Sequence, residues 1–221
     1  MLIHLHRGTP YIYQGEELGM TGAHFTELSQ YRDLESINAY RQRVEEAKVQ
    51  SGESMMDSLA LFGRDNARTP MQWDGSKYAG FTAADAKTEP WLSVNPNHVE
   101  INAAAQFDDP DSVYAFYKKL VNLRHNSAVV SAGEWALVDD DDEQVYAFTR
   151  TLTNADGTAE RMLVAINLTG RHAALPKPVA DLLADGVSED RIILSTYDAI
   201  HSAKSLANGE LAGWEGVVVE L

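Results

Sequence analysis

The chain has 221 residues, of which 44% are hydrophobic, so it is long enough to bury one large core or two smaller ones. Its formal charge of -15, from 33 acidic and 18 basic residues, argues against a nucleic-acid or anionic-membrane partner, because both require a basic face. The absence of cysteine excludes disulfides, thiolate catalysis and cysteine-ligated zinc, and it agrees with a cytoplasmic protein.

The N-terminal residues predict the end of a helix followed by a strand. Residues 1–7 are typical of a helix tail, which Gly8 would terminate. Residues 11–13, with the sequence Tyr-Ile-Tyr, predict a short buried strand. The sharp turn after it would leave Glu16 and Glu17 in a loop, where they either contact a ligand or hold arginines of neighbouring loops.

Two helical regions follow. Apolar residues at three- and four-residue spacing predict helices across residues 26–62. A second helix is predicted from Val113 to His125, with the preceding Asp111 and Ser112 as its N-cap.

Between these helical regions lies an irregular segment, residues 63–102, that is rich in Gly, Pro, Asn and Trp. Such composition predicts an ordered functional loop. Within it, Arg64, Arg68 and Trp73 lie close together in sequence. Guanidinium groups donate paired hydrogen bonds to hydroxyls, and an indole face stacks on a sugar ring, so the loop suits a polyhydroxylated ligand. Structural ion pairs between the arginines and neighbouring acids are the alternative.

The character of the chain changes near residue 131. Strand-like runs alternate with turns such as Asp156-Gly157 and Asn208-Gly209, a spacing that favours an antiparallel β-sandwich over a parallel sheet. The predicted strands are 134–138, 144–152, 161–168, 172–175, 191–196 and 216–221.

The sequence predicts no cofactor and no metal site. The aspartate run 139–142 lacks the spaced oxygen ligands of a calcium loop and is interpreted as a solvated hairpin turn. The seven histidines show no metal-ligand spacing.

Two longer motifs carry a family resemblance. The segment Gly-Thr-Pro-Tyr-Ile-Tyr-Gln-Gly-Glu-Glu-Leu-Gly-Met at residues 8–20, followed by residues 64–74, closely resembles the oligo-1,6-glucosidase and alpha-glucosidase branch of the alpha-amylase superfamily. The similarity is strong from about residue 8 to residue 125 and is one of strand pattern after that. Further matching segments are 31–35, 79–82, 90–97, 101–102 and 117–124.

The resemblance implies an α/β plus all-β fold. Residues 1–130 would be the C-terminal part of a catalytic (β/α)8 barrel, comprising its last strand, a long loop insertion and its last helix. Residues 131–221 would be the antiparallel β-sandwich domain that braces the barrel.

The resemblance also implies substrate-binding residues. Arg64 matches an arginine directed toward the non-reducing sugar, and Arg68 matches one at the pocket entrance. Glu35 resembles the acid that pairs with Arg68 and narrows this entrance, which favours release of single glucose units from chain ends.

In the family, the nucleophile, the acid/base and the third carboxylate all precede the Gly-Thr-Pro-Tyr motif, which begins here at residue 8. We therefore expect the C-terminal portion of a retaining exo-acting alpha-glucosidase that holds no catalytic residue of its own. Its expected partners are short alpha-glucosides and the missing N-terminal barrel portion. A trehalose-6-phosphate hydrolase, a sucrose-converting glucosyltransferase and a non-catalytic sugar-binding or bracing module remain alternatives.

Overall fold

The computed structural model describes residues 1–139 and 141–221. These residues form two compact units, one of residues 12–115 and one of residues 1–11 together with 116–221. The helices are α1 Leu2–Leu5, α2 Leu34–Tyr40, α3 Gly52–Phe62, α4 Ala103–Gln106, α5 Val113–Asn126, α6 Ala128–Ala132, α7 Lys177–Leu182 and α8 Ala199–Ala207. The strands are β1 Glu134–Leu137, β2 Val145–Thr153, β3 Ala159–Asn167, β4 Ala173–Ala174, β5 Ile192–Ser195, β6 Glu210–Leu211 and β7 Gly216–Glu220. Within the described residues, every helix is too short or too polar to cross a bilayer.

The unit of residues 12–115 consists of short helices and turns around a small aromatic core. Helix α2 continues into a π-helical turn, Arg41–Glu46, and α3 starts after a break in which Lys48 adopts a φ of 54°. The prediction of helix across 26–62 is confirmed for residues 34–46 and 52–62. It is wrong within the break and before residue 34, where only Leu28–Gln30 form a 3-10 turn. The core of the unit comprises Phe25, Tyr31, Met55, Leu59 and Leu92.

Helix α5 confirms the prediction for residues 113–125. The Ser112 hydroxyl accepts a hydrogen bond from the backbone N–H of Ala115, at 3.1 Å, as an N-cap should.

The second unit is built on a five-stranded antiparallel sheet with the strand order β1-β2-β3-β7-β5. Strands β2 and β3 form a hairpin paired from Val145 opposite Asn167 to Thr153 opposite Ala159. Its turn includes Gly157 at a φ of 86°, which glycine adopts without strain. The six predicted strands all correspond to observed strands, with ends that differ by a few residues.

Both faces of this sheet are buried, which explains the continuous apolar runs in β3 and β7. In β3, Leu163 and Ala165 face a core that includes α7 and α8, while Val164 and Ile166 face a core that includes α1, α5 and α6. The predicted antiparallel sheet is therefore confirmed. A sandwich of two comparable sheets is not, because the second sheet has only the two-residue strands β4 and β6, and helices supply most of the covering layers.

Residues 11–13 do not form the predicted buried strand. They have no ladder partner among the described residues, and Tyr11 and Tyr13 are 84% and 58% exposed. The chain turns immediately afterwards, since the carbonyl of Tyr13 accepts a hydrogen bond from the N–H of Glu16 at 2.9 Å. Apolar character alone predicted burial here, but a strand also needs a neighbour to pair with.

The aspartate run lies between the antiparallel strands β1 and β2, and Asp140 lies outside the described residues. The Asp142 carboxylate accepts hydrogen bonds from the N–H groups of Gln144 and Val145, at 2.8 and 2.6 Å. Both contacts agree with the interpretation of a hairpin turn.

Candidate functional site

The arginine-containing loop begins with a 3-10 turn, Arg64–Ala67, that is anchored by its two polar central residues. Asp65 is 1% exposed, and its Oδ2 accepts hydrogen bonds from the backbone N–H groups of Arg32 and Asp33 at 2.6 and 2.7 Å. The Asn66 side chain, also buried, donates to the carbonyls of Leu59 and Gly63. The turn is thereby fixed to the start of α2 and to the end of α3.

Asp33 connects the same turn to α2 by its side chain. Its Oδ2 accepts hydrogen bonds from the backbone N–H and the hydroxyl of Ser36, at 3.2 and 3.0 Å, and so caps the helix. Its Oδ1 receives Nη2 of Arg64 at 2.6 Å. The same Nη2 lies 2.9 Å from Oε2 of Glu35, in the first turn of α2.

The side chains of Asp33, Arg64 and Glu35 differ in their exposure to solvent. The Asp33 side chain is 8% exposed, whereas those of Arg64 and Glu35 are 52% and 77% exposed. Burial raises the pKa of Asp33, but the hydrogen bonds from Arg64 and Ser36 together lower it by more, so the net shift of this pKa is downward. The pKa of Arg64 is raised by its hydrogen bond to Asp33 and by the charges of Asp33 and Glu35. Asp33 is therefore ionised at neutral pH.

A groove of about 240 Å³ adjoins this charged cluster. Its polar rim includes Asp33, Glu35 and Arg64, and α2 and α3 supply its apolar wall, in which Leu59 is buried and Phe62 is exposed. The arrangement offers hydrogen-bond donors and acceptors beside an apolar surface, which is the chemistry that recognises a sugar ring.

The predicted pair of Glu35 and Arg68 is wrong. Glu35 contacts Arg64, and Nη1 of Arg68 lies 3.8 Å from Oδ1 of Asp65, three residues earlier in the chain. Asp65 explains this pairing. Its carboxylate binds the backbone at the start of α2 and so brings Glu35 next to Arg64, and the same carboxylate is the acid nearest to Arg68. The Arg68 side chain remains 44% exposed.

The loop after the arginines is held by a buried amide and leaves an aromatic ring outside. Gln72 is fully buried, and its Nε2 donates to the carbonyl of Ile101 and to Oδ1 of Asn97. The next residue, Trp73, donates its backbone N–H to Ala79 at 2.8 Å and has a side chain that is 53% exposed. This indole is therefore available at the surface.

Glu16 and Glu17 are used in their own turn. Glu16 Oε2 accepts from the N–H of Tyr13 at 3.1 Å, and Glu17 Oε2 accepts from the N–H of Gly15 at 2.8 Å. These backbone contacts replace the predicted contacts of Glu17 with arginine. Over the described ranges, histidines and carboxylates form no cluster of three or more that could hold a metal ion.

Sequence reasoning assigned no role to Asp33, Asp65 or Asn66, although these residues form the framework of the loop. A local signal existed for Asp33, which stands three residues before Ser36 in an N-cap pattern. No local signal existed for Asp65, since its hydrogen-bond partners lie 32 and 33 residues away.

Comparison with known proteins identifies the family. The profile of the alpha amylase catalytic domain matches residues 1–133, which is more than half of the chain. The chain belongs to the alpha-amylase family. Among the relatives of this alpha-amylase family chain, an oligo-1,6-glucosidase of Parageobacillus thermoglucosidasius is 41% identical over 99% of the chain and 36% of its own length. A trehalose-6-phosphate hydrolase of Bacillus subtilis is 38% identical over the same shares.

Solved structures of alpha-amylase family enzymes resemble this chain in fold. The isomaltulose synthase of Klebsiella sp. LX3 matches 99% of the chain and 36% of its own chain with a TM-score of 0.81 and 33% identity. The trehalose-6-phosphate hydrolase of Bacillus licheniformis matches 99% of the chain and 37% of its own with a TM-score of 0.79 and 35% identity. The chain thus spans little more than a third of the length of these relatives.

Proposed function

We propose that this chain supplies part of the substrate pocket of a retaining, exo-acting alpha-glucosidase that hydrolyses alpha-glucosidic bonds of short oligosaccharides. The observation that carries the proposal is the Arg64 guanidinium, held by two carboxylates at the rim of a groove. Family membership and the oligo-1,6-glucosidase names of close relatives support the reaction class.

Arg64 has the geometry of a substrate-binding residue. Its Nη2 is fixed by Asp33 and Glu35, and half of the side chain remains exposed, so its other N–H groups are left to donate to sugar hydroxyls. A pre-positioned planar guanidinium loses little conformational freedom when a ligand binds. Glu35 would act through Arg64 at the polar rim, and Arg68 would contact substrate from the same loop, outside the lining of this groove.

Asp33 and Glu35 are close enough to suggest a catalytic pair, and their electrostatics argue against it. Both contact Nη2 of Arg64, at 2.6 and 2.9 Å, so they are neighbours, as the two carboxyl groups of a retaining glycosidase must be. The lowered pKa of Asp33 excludes it as the protonated acid of such a pair. A nucleophile must also be free to attack, whereas both oxygens of Asp33 and Oε2 of Glu35 are engaged by Ser36 or Arg64. We infer that neither cleaves a glycosidic bond and that the chain alone is inactive.

The proposed organisation follows from the same reasoning. Residues 1–130 would belong to the catalytic barrel and residues 131–221 to a supporting β-domain. The family match over residues 1–133 supports that division, whereas the contacts within the chain group residues 1–11 and 116–130 with the β-domain. Because the chain spans 36% of the length of its relatives, we propose that the catalytic carboxylates belong to a further barrel portion acting with this chain.

Turnover and binding measurements on the 221-residue chain test the proposal. We expect no hydrolysis of p-nitrophenyl alpha-glucoside or isomaltose, together with weak isomaltose binding that Arg64→Lys reduces. Hydrolysis that is abolished by Asp33→Asn or Glu35→Gln would overturn the inactive-fragment proposal. Absence of isomaltose binding would overturn the role of Arg64.

A phosphorylated disaccharide is a second candidate ligand. Trehalose-6-phosphate hydrolases are among the relatives, and the exposed Arg68 side chain has only a long contact of 3.8 Å with its carboxylate neighbour. Its guanidinium is thus available to a phosphate. If calorimetry shows tighter binding of trehalose-6-phosphate than of isomaltose, and Arg68→Gln removes the difference, this candidate replaces the first. Sucrose binding in preference to both would favour a sucrose-converting glucosyltransferase, in keeping with the isomaltulose synthase relative.

A further inference from the structure

An exposed tryptophan on the β-domain is held in an unusual backbone conformation. Trp214 lies in the turn between β6 and β7 with a φ of 59°, a left-handed value that bulky residues rarely adopt, and its side chain is 66% exposed. An indole that remains exposed to water contributes little hydrophobic stabilisation to the folded state. Backbone outliers of this kind cluster at ligand-binding sites, where the strain is part of the function.

The turn is rigid because a buried carboxylate fixes it from inside. Glu215 is fully buried, and its two oxygens accept the N–H of Ala212 at 2.7 Å and the hydroxyl of Ser202 at 2.6 Å. On the outer side, Trp214 donates its N–H to the carbonyl of Thr169 at 2.8 Å. The indole is thus presented by a pre-organised backbone, which reduces the entropy lost on binding.

Gly170 leaves the space that the indole uses. A Cβ at Gly170 would lie 3.1 Å from Nε1 of Trp214, so the edge of the ring rests directly on the glycine backbone. One edge of the ring is therefore supported while most of the indole remains open to solvent.

A second aromatic ring and the backbone of an arginine lie beside the turn that carries this tryptophan. The Tyr197 hydroxyl donates to the carbonyl of Gly213 at 3.0 Å, and its ring, 44% exposed, stacks on His201 with centroids 4.5 Å apart. Arg171 follows Gly170 and is exposed, and its guanidinium forms no hydrogen bond or ion pair with the residues that the structure describes.

We propose that Trp214, Tyr197 and Arg171 form a second carbohydrate-contact site, which binds neutral alpha-glucoside oligosaccharides. The indole stacks on the apolar face of a sugar ring, and the guanidinium donates to adjacent hydroxyls. Nucleic-acid bases also stack on exposed aromatics, but the net charge of -15 disfavours a polyanion. This site lies in a different compact unit from the Arg64 loop and does not depend on it.

The indole N–H signals of the 15N-labelled chain test this proposal directly, with maltotriose and isomaltotriose as probes. At about 10 mM trisaccharide, enough to fill a millimolar site, we expect the Trp214 indole signal and the amide signals of Gly170 and Gly213 to shift. Trp214→Ala should abolish these amide shifts, and Arg171→Gln should weaken binding several-fold. Arg161→Gln, a substitution of an exposed arginine on β3, is the matched control and should leave the affinity unchanged.

Two further variants separate this site from the Arg64 loop and from loss of folding. Trp73→Ala should leave the trisaccharide-induced shift of the Trp214 signal intact, even if this substitution abolishes binding at the Arg64 loop. Trp214→Tyr keeps a flat ring and should retain binding, which shows that the effect of Trp214→Ala is not unfolding. An unmoved Trp214 signal with both trisaccharides, or amide shifts at Gly170 and Gly213 that persist in Trp214→Ala, would overturn the proposal.

Discussion

The backbone N–H of Asp33 donates a hydrogen bond of 2.7 Å to the carboxylate of Asp65, across 32 residues of sequence. The neighbouring N–H of Arg32 donates to the same oxygen at 2.6 Å. The Asp33 carboxylate in turn accepts a hydrogen bond from the guanidinium of Arg64, the residue before Asp65. The segments around Asp33 and Asp65 are therefore joined by both backbone and side-chain hydrogen bonds. This mutual contact fixes the orientation of the proposed sugar-binding arginine.

Removal of the Asp65 carboxylate should destabilise the unit of residues 12–115. Asp65→Ala leaves two N–H groups in a partly buried region without their acceptor, and we expect a loss of about 2–4 kcal/mol in the free energy of unfolding. Urea titration measures it. Asp57→Ala, at an exposed position of α3, is the control and should change stability by less than about 0.5 kcal/mol. Equal midpoints for both variants would contradict the anchoring role.

Stability should depend on the ionisation of Asp33. Its pKa is lowered in the folded protein, so its stabilising contribution is complete above the unfolded value of about 3.9 and is lost as pH falls through the folded value. We expect the free energy of unfolding to fall more steeply below about pH 4 in the unmodified chain than in Asp33→Asn. Parallel pH profiles for the two proteins would rule out this linkage.

The second unit depends on an arginine in its interior. Arg150 is fully buried on β2 and donates to the carbonyls of Leu5 and Gly133, at 2.8 and 2.7 Å. Burial lowers its pKa, as do Arg124 and Arg7. Arg150→Met leaves both carbonyls without their donor, and we expect a destabilisation of about 2–4 kcal/mol by chemical denaturation.

Arg161→Met provides the comparison for that variant, since Arg161 is exposed on the neighbouring strand β3. We expect this change to stay within about 0.5 kcal/mol of the unmodified chain. A stability of Arg150→Met equal to that of Arg161→Met would show that the buried guanidinium is dispensable.

Hydrogen exchange should divide the chain unevenly. Strand β3 pairs on both sides and is covered by two cores, whereas residues 12–115 contain short helices around a small core. We expect the slowest amide exchange in β2, β3 and β7 and much faster exchange in residues 12–115. Uniform protection across both units of a monomer would refute the expectation that the N-terminal part requires a further barrel portion.

The strands after residue 131 could be predicted from sequence because their signals are local. The run Met162–Ile166 in β3 is apolar on both faces of the sheet. The turn that contains Gly157 marks where β3 begins. Residues 11–13 have a similar local signal and form no strand, because pairing needs a neighbour that local pattern does not specify.

The residues proposed for the candidate site follow from the sequence, and their contacts do not. Exposure of Arg64 and Trp73 follows from a polar loop composition, which the sequence displays. The partner of Arg64 depends on how Asp65 positions the start of α2, a contact between distant segments. Glu35 was therefore paired with Arg68, when geometry places it against Arg64.

An isomaltose titration of the 15N-labelled chain, compared with Arg64→Lys, tests the central claim most directly. Arg41→Lys is the matched control, since Arg41 is 56% exposed and pairs with Glu46 at 3.4 Å, much as Arg64 pairs with Glu35. We predict that isomaltose shifts the amide signals of residues 33–36 and 63–68. The affinity read from these shifts should fall about tenfold in Arg64→Lys, a difference of about 1.4 kcal/mol, and should be unchanged in Arg41→Lys. Shifts of equal size in all three proteins, or none in the unmodified chain, would contradict the assignment of this loop to substrate binding.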